Sequence, residues 1–198
     1  MAATAYRTPD ADRPRLLRTA GTLLKVCIAA VSTPLLFSCT AMPGTAPQAA
    51  ANLTPTQSNK VSGLVTFAER EGVVFVEASL TGLTPGRHGI HIHEKGDCTA
   101  PDASGAGGHF NPQEERHGGF RGTRRHLGDL GNITADASGN ARMRVQADGV
   151  TLRSGPNSVV GRALVVHADP DDYRTQPDGG SGARVACGVI GLGELSPM

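Results

Sequence analysis

The chain has 198 residues, with 26 glycines, 13 prolines, no tryptophan and an aromatic content of 4%. This composition fits one domain of about 140 to 150 residues with an N-terminal extension, and it argues against a helical bundle and for short strands joined by tight turns. The formal net charge of +1 gives no indication of nucleic-acid binding. Residues 1–39 hold five of the 19 basic and two of the 18 acidic side chains, so the remainder carries 14 basic and 16 acidic groups.

The first 39 residues have the pattern of an export signal. A basic region extends to Lys25, and the apolar run VCIAAVSTPLLF follows it. That run is too short to cross a membrane comfortably, and Pro34 interrupts it. A buried helix of the fold is the alternative, but the Pro- and Ala-rich sequence that follows disfavours it. We therefore expect residues 1–39 to direct export.

The end of this segment predicts how the chain is processed. LFSC, at 36–39, resembles the lipobox of bacterial lipoproteins, in which the cysteine is lipidated and becomes the first residue after cleavage. This resemblance predicts a lipid on Cys39 and anchoring to a membrane. Cleavage near Ala46 or Ala50 would instead give a soluble periplasmic protein. Residues 40–49, rich in Pro, Ala, Thr and Gln, are predicted to form a flexible tether.

From about residue 50 the pattern becomes that of β-strands, and one domain is predicted over 50–196. The apolar segments VSGLVTF (61–67) and VVFVEASL (73–80) flank a turn centred on Glu71-Gly72. TGLTPG then leads into HGIHIH (88–93). These segments predict a meander of antiparallel strands.

The remainder of the domain contains two irregular segments. Residues 94–126 show no periodicity, and the metal-ligand residue types within them favour a functional loop over disorder. A second irregular segment covers 168–183. Strand patterns resume at DLGNITAD, ARMRVQA, SVVGRALVVH and RVACGVIG. The sequence therefore predicts an all-β domain with two long functional loops.

Six of the seven histidines lie within residues 86–129. In HGIHIH, His91 and His93 alternate with Ile90 and Ile92, so both imidazoles share one face of the strand while the isoleucines enter a core. Imidazole is a suitable ligand for copper and zinc, and two of them at i and i+2 form a rigid half-site. An isolated pair of this kind would equally fit a solvated strand edge.

Further candidate ligands make a solvated edge improbable and suggest two metals. The full set is His91, His93, His109, His117, His126, His167 and Asp129. A structural zinc takes four ligands, and a copper site built on imidazoles takes about four. Two metals thus need about eight ligands, and this set suffices if one histidine binds both metals through its two ring nitrogens. An open copper position would remove that need.

Two cysteines remain once Cys27 in the signal and Cys39 are set aside. In an oxidising compartment Cys98 and Cys187 are expected to form a disulfide, with a thiolate metal ligand as the alternative. Closing a loop of roughly 90 residues stabilises a fold by about 4–5 kcal/mol in the chain-entropy model. His88, the seventh histidine, is predicted to pack or to form hydrogen bonds rather than to bind metal.

The motifs HGIHIHEKGDC, GGHFNP, RHGG, HLGDLGNI, GRALVVHADPDD and GGSGARVACGVIG together resemble those of the bacterial periplasmic copper,zinc superoxide dismutases. The resemblance implies a Greek-key β-sandwich, or flattened eight-stranded barrel. It implies an enzyme that dismutes superoxide to dioxygen and hydrogen peroxide at a redox-cycling copper supported by a structural zinc. The implied role is antioxidant defence in the periplasm.

The resemblance also assigns roles to individual residues. The implied copper ligands are His91, His93, His109 and His167, and the implied zinc ligands are His109, His117, His126 and Asp129. The implied catalytic residues are Arg184, as the active-site arginine, and the bridging His109. Asp171 would link a copper-ligand and a zinc-ligand histidine, and Cys98 and Cys187 occupy the disulfide positions.

Some alternatives stay open at this point. Without the resemblance, Arg184 would fit an ordinary surface arginine equally well. A non-catalytic metal-binding module of the same fold would use the ligands but would not need Arg184. The implied partners are the superoxide anion and, through Cys39, a membrane. The sequence does not decide between a monomer and a homodimer.

Overall fold

The computed structural model describes residues 48–193. The predicted export signal, Cys39 and most of the predicted tether lie outside the described residues. Within 48–193 the elements are nine strands and one short 3-10 helix, Ser104–Ala106. No helix in this part of the chain is long and apolar enough to cross a membrane.

The strands are antiparallel and eight of them close into a barrel. Their bounds are β1 Ala49–Pro55, β2 Ser62–Arg70, β3 Val73–Thr81, β4 Gly86–His93, β5 Asp129–Ala135, β6 Ala141–Ala147, β7 Ala163–His167, β8 Arg184–Val189 and β9 Gly191–Leu192. The order around the barrel is β2-β3-β6-β5-β4-β7-β8-β1, β1 pairs back to β2, and β9 adds to β1. Because β3–β4 and β6–β7 connect strands that are not neighbours, the topology is of the Greek-key kind. The predicted eight-stranded all-β fold is confirmed.

The barrel interior is filled by one side of each strand. In β3 the even-numbered residues Val74 to Leu80 are buried and the odd-numbered ones are more exposed, as the alternation of apolar residues requires. The predicted turn between β2 and β3 is present, with Glu71 at φ 52° and Gly72 at φ 80°. Two successive left-handed residues are what a two-residue hairpin turn needs, and glycine adopts this conformation without strain.

The sequence pattern did not predict β1 as a separate strand. β1 begins at Ala49, inside the predicted tether and one residue before the predicted domain boundary at residue 50. The Gln48 amide already donates a hydrogen bond to the Phe67 carbonyl at 2.8 Å. Alanine has little intrinsic preference for strands, but Ala49 and Ala51 are fully buried against β2. Tertiary packing therefore decides the conformation of this segment.

The segment SVVGRALVVH is not one strand, as its apolar residues predicted. Only Ala163–His167 forms β7. Gly161 has φ 80°, a left-handed conformation that ends an extended segment, and Val159 is buried from an irregular segment before the strand. Apolar residues precede and follow Gly161-Arg162 without a change of hydrophobic period, so the sequence pattern does not separate the strand from the irregular part.

The predicted disulfide is present. Cys98 and Cys187 are bonded, with their Cα atoms 5.7 Å apart. The bond joins the loop after β4 to strand β8. Neither sulfur is therefore free to act as a thiolate metal ligand.

Candidate metal centre

Four histidines converge where β4 and β7 lie side by side. His91 and His93 belong to β4, His167 ends β7, and His109 comes from the segment between β4 and β5, which we call loop 94–128. One nitrogen from each ring lies within 4.8 Å of the others, and all four residues are buried. We call these four residues the all-histidine cluster.

A second cluster lies beside the first and shares His109 with it. Its members are His109, His117, His126 and Asp129, which we call the mixed cluster. Asp129 Oδ1 lies 2.8 Å from His109 Nδ1, 3.1 Å from His117 Nδ1 and 3.3 Å from His126 Nδ1. Asp129 Oδ2 accepts hydrogen bonds from the backbone amides of Gly118 and His126, at 3.2 and 2.9 Å. The carboxylate is thus held with one oxygen facing three imidazoles.

The ring of His109 has one nitrogen in each cluster. Its Nδ1 faces Asp129, whereas its Nε2 is buried without a hydrogen-bond partner among the described residues. The His91 ring lies 4.0 Å away between centroids, and His91 Nδ1 likewise has no partner in this part of the chain. Buried polar atoms without partners are costly, so both atoms are suited to bind a ligand placed between them.

The other two rings of the all-histidine cluster indicate the sign of that ligand's charge. His93 Nδ1 lies 2.9 Å from the Gly107 carbonyl, and His167 Nδ1 lies 3.2 Å from the Gly182 carbonyl. A carbonyl only accepts, so each Nδ1 carries a proton. Burial lowers the pKa of His93 to about 2 and that of His167 to about 3, which keeps both rings neutral. Their Nε2 lone pairs then face each other at 3.3 Å, an arrangement that suits a cation between them.

Asp171 connects the two clusters through its carboxylate. Oδ2 lies 2.9 Å from His91 Nε2 and Oδ1 lies 2.9 Å from His117 Nε2. Burial by itself raises a carboxyl pKa, but hydrogen bonds from His117 and His91 outweigh it and hold the pKa of Asp171 below its ordinary value. The carboxylate therefore accepts a proton-bearing nitrogen from each ring. The Nδ1 lone pair of His91 is left pointing into the all-histidine cluster, whereas His117 Nδ1 lies against Asp129 Oδ1.

The mixed cluster contains an ionised carboxylate, that of Asp129, which also favours a cation. Burial raises the pKa of the Asp129 carboxyl, but hydrogen bonds from His109, His117 and His126 dominate and keep it well below its ordinary value. Burial lowers the pKa of His117, yet hydrogen bonds to Asp129 and Asp171 raise it to about 9. Three imidazoles and one carboxylate form a closed tetrahedral donor set of the kind that zinc takes, whereas four imidazoles suit copper. The residues present therefore fit both metals.

Arg184 begins β8 at the edge of the all-histidine cluster. Its Nη1 donates to the Ala103 carbonyl at 2.5 Å and its Nη2 donates to the Gly107 carbonyl at 2.6 Å. The side chain lines a cavity of about 470 Å³ together with His93, His109 and His167. Burial lowers the pKa of Arg184, and the nearby carboxylates of Asp102 and Asp178 partly offset this effect. A fixed positive charge thus faces the cavity.

His88 lies outside both clusters. Its Nδ1 is 3.0 Å from the His167 carbonyl and its Nε2 is 2.8 Å from the Thr84 carbonyl. The hydrogen-bonding role expected for this residue is confirmed.

Two amide side chains that sequence reasoning missed also hold the centre. Asn132 pairs with the backbone of Asp171: its Oδ1 accepts from the amide at 2.8 Å and its Nδ2 donates to the carbonyl at 3.0 Å. Gln176 contacts the backbone of His117. Asn and Gln are common in loops, and neither residue has a neighbour in the sequence that would have indicated such a contact.

The comparisons with known proteins agree on one family. The family model described as "Copper/zinc superoxide dismutase (SODC)" matches residues 61–190. "Superoxide dismutase (Cu-Zn) 2" of Mesembryanthemum crystallinum is 47% identical over 142 residues, which cover 68% of this chain and 90% of that protein. "Superoxide dismutase (Cu-Zn)" of Onchocerca volvulus is 43% identical over 151 residues, covering 71% of this chain and 94% of that protein.

A solved structure is similar as well. The crystal structure of the clock protein EA4 matches with a TM-score of 0.66 and 41% sequence identity, covering 75% of this chain and 96% of that one. This chain belongs to the copper/zinc superoxide dismutase family. It is an oxidoreductase whose cofactors are copper and zinc.

The buried histidines predict how the stability of the metal-free protein depends on pH. The pKa of His93 is about 2 and that of His167 about 3 in the folded state, against an ordinary value of 6.5. Below pH 6.5 the unfolded chain therefore binds more protons than the folded protein. Each such histidine should lower the free energy of unfolding by about 1.4 kcal/mol per pH unit as the pH falls toward 4. His117, with a pKa of about 9, binds more protons in the folded state near pH 7 and opposes this slope there, whereas below about pH 5.5 it is protonated in both states and adds no slope.

Urea unfolding of the chelator-treated protein between pH 7 and pH 4, followed by circular dichroism, measures this slope. The His167→Gln variant lacks one of the titrating groups and should show a slope shallower by about 1.4 kcal/mol per pH unit. A free energy of unfolding that does not change over this range in the unsubstituted protein would contradict the neutral state of the two rings.

Proposed function

We propose that this protein dismutes superoxide to dioxygen and hydrogen peroxide, with copper held by the all-histidine cluster and zinc held by the mixed cluster. The observation that carries the proposal is that two four-donor clusters share His109, which offers one ring nitrogen to each. Membership of the family supports the same assignment. When bound, copper supplies one-electron redox chemistry, whereas zinc, which has no redox states, supplies a fixed divalent charge.

The hydrogen bonds around the two clusters orient four of the ligand rings before any metal arrives. The carboxylate of Asp171 accepts from Nε2 of His91 and of His117. The carbonyls of Gly107 and Gly182 accept from Nδ1 of the other two cluster histidines. Partners of this kind fix the tautomer and orientation of a ligand ring and raise its affinity for metal. We infer that metal binding needs little rearrangement of these side chains.

Peroxide formation consumes two protons, and we propose that His109 handles one of them. Its Nε2 is buried in the all-histidine cluster, and burial lowers the pKa of His109 to about 4. A proton placed on Nε2 is therefore released readily to a stronger base such as a peroxide anion. Because Nδ1 belongs to the mixed cluster, the ring would stay in place while Nε2 gains and loses that proton.

Arg184 is proposed to attract and orient the anionic substrate. The Ala103 and Gly107 carbonyls engage two of the five N–H groups of the guanidinium and fix its plane, and the remaining donors are free to face the cavity. A planar, permanently charged fork suits a small anion. Because the group is preorganised, it needs no rearrangement when the substrate arrives.

We further propose that the protein is exported to the periplasm and anchored there by a lipid on Cys39. The basic region, the short apolar run and LFSC support this proposal. The start of the barrel at Ala49 is compatible with a short link between lipid and domain. Cleavage near Ala46 or Ala50 is the alternative, which would leave the protein soluble.

Substitution of Arg184 tests the catalytic proposal. Arg184→Ile should lower the second-order rate of superoxide dismutation at least several-fold while both metals stay bound, because the residue acts by charge and not by ligation. Arg184→Lys should lose less, since the charge remains without the planar fork. The rate of Arg184→Ile should also depend less on salt, because part of the screened attraction is gone. Stopped-flow or pulse-radiolysis rates, with metal contents from mass spectrometry, measure these effects.

The exposed Arg142 on β6 provides a matched control, since it does not line the cavity. Arg142→Ile should retain the rate of the unsubstituted protein. Equal rates in Arg184→Ile and the unsubstituted protein at full copper content would refute the role of Arg184. A fully metal-loaded protein without any dismutation would refute the proposed function itself.

Labelling with a radioactive fatty acid tests the anchor. The unsubstituted chain expressed in a bacterium should incorporate the label and fractionate with membranes. Cys39→Ser should abolish the label, because the thiol that accepts the lipid is missing. An unlabelled unsubstituted protein whose mature N-terminus follows Ala46 or Ala50 would place it in the soluble periplasm instead.

A further inference from the structure

Loop 168–183, the segment between β7 and β8, contacts loop 94–128 through the side chain of Gln176. Gln176 Oε1 accepts a hydrogen bond from the His117 amide at 2.9 Å, and Gln176 Nε2 donates to the His117 carbonyl at 2.9 Å. One side-chain amide thus pairs with both polar backbone groups of one residue, as a neighbouring strand would. Nε2 also donates to the Arg174 carbonyl at 3.1 Å, which ties the contact to its own loop.

His117 is therefore held twice by the same loop. Asp171 binds the ring through Nε2 at 2.9 Å, and Gln176 binds the backbone. Together they fix both the position of the residue and the direction in which its Nδ1 points toward Asp129. A buried ring held at both ends has little freedom to turn out of the mixed cluster.

The residues that follow Gln176 form part of the cavity that Arg184 faces. Pro177 and Asp178 both line this cavity. Because Gln176 is attached to the His117 backbone, the adjacent part of the cavity rim is attached to loop 94–128 as well. One contact thus joins the mixed cluster to the entrance of the all-histidine cluster.

We propose that Gln176 is a positioning residue that latches loop 168–183 onto His117, preorganising the mixed cluster for zinc and fixing the Pro177-Asp178 part of the cavity rim. This inference rests on the proposed assignment of His117 to zinc. Side chains that hold a metal ligand in place typically contribute about 10- to 100-fold to metal affinity. Loss of the latch should therefore weaken zinc binding by about that factor and leave copper binding nearly unchanged, because no copper-ligand residue contacts Gln176 among the described hydrogen bonds.

Gln176→Met and Gln176→Ala separate the hydrogen bonds from the bulk of the side chain. Methionine is close to glutamine in size but cannot form either bond with the His117 backbone. Both variants should bind zinc about 10-fold or more weakly in competition with a chromophoric chelator, with copper affinity measured in parallel. Gln113→Ala is the matched control, since Gln113 is an exposed glutamine on loop 94–128 whose side chain has no hydrogen bond in the described part of the chain. It should bind zinc as the unsubstituted protein does.

Amide hydrogen exchange at His117 gives a readout that does not depend on activity. This amide loses its acceptor in Gln176→Met, so its exchange should be faster by at least several-fold, while core amides of β3 stay protected. Unchanged zinc affinity and unchanged exchange in Gln176→Met would overturn the latch. His117→Ala distinguishes the two levels of the account: if it keeps full zinc affinity, the proposed zinc site is wrong, whereas if it loses zinc while Gln176→Met does not, only the latch is wrong.

Discussion

The two nitrogens of the His109 ring connect everything else in the centre. Nδ1 belongs to the mixed cluster and Nε2 to the all-histidine cluster, so neither cluster can be completed without fixing the other. Asp171 repeats this connection through its two oxygens, which bind His91 and His117. The His109 ring is a member of both clusters, whereas the Asp171 carboxylate connects them through the Nε2 atoms of His91 and His117. Both loops therefore contribute groups to one connected network.

Burial of so many polar groups is costly unless each nitrogen and oxygen has a partner. The structure meets this requirement on the outer side of the rings, where carbonyls and carboxylates accept the ring protons. On the inner side, His91 Nδ1 and His109 Nε2 have no partner within residues 48–193, and the Nε2 lone pairs of His93 and His167 face each other. The hydrogen bonds thus leave unpaired only the atoms that can bind a metal. The fold thus orients the donor atoms, and a bound metal would supply the missing partner.

Much of this could be predicted from the sequence, because it depends on local periodicity and on residue types. Alternation in HGIHIH placed His91 and His93 together, and the two remaining cysteines indicated the Cys98–Cys187 bond. Periodicity predicted only an all-β domain with two long loops, and the eight-stranded barrel was expected from the family resemblance. The burial of β4 does not alternate along the strand, because both its histidine face and its isoleucine face are buried. The alternation is visible only in the residue types.

The rest depends on how distant segments pack, which a local pattern does not record. β1 forms because Ala49 and Ala51 pack against β2, and Gly161 shortens β7. The amides of Asn132 and Gln176 reach backbone groups 39 and 59 residues away in the chain. Contacts of that kind follow from loop conformation, and their residue types give no signal in the sequence.

The central claim is that one copper and one zinc share the imidazole of His109, and X-ray diffraction from crystals of the metal-loaded protein tests it most directly. Data collected on either side of the copper and zinc absorption edges locate each element separately. The account predicts one copper peak next to His109 Nε2, within the all-histidine cluster, and one zinc peak next to His109 Nδ1, within the mixed cluster. A single peak, or two metals that do not both contact His109, would contradict it.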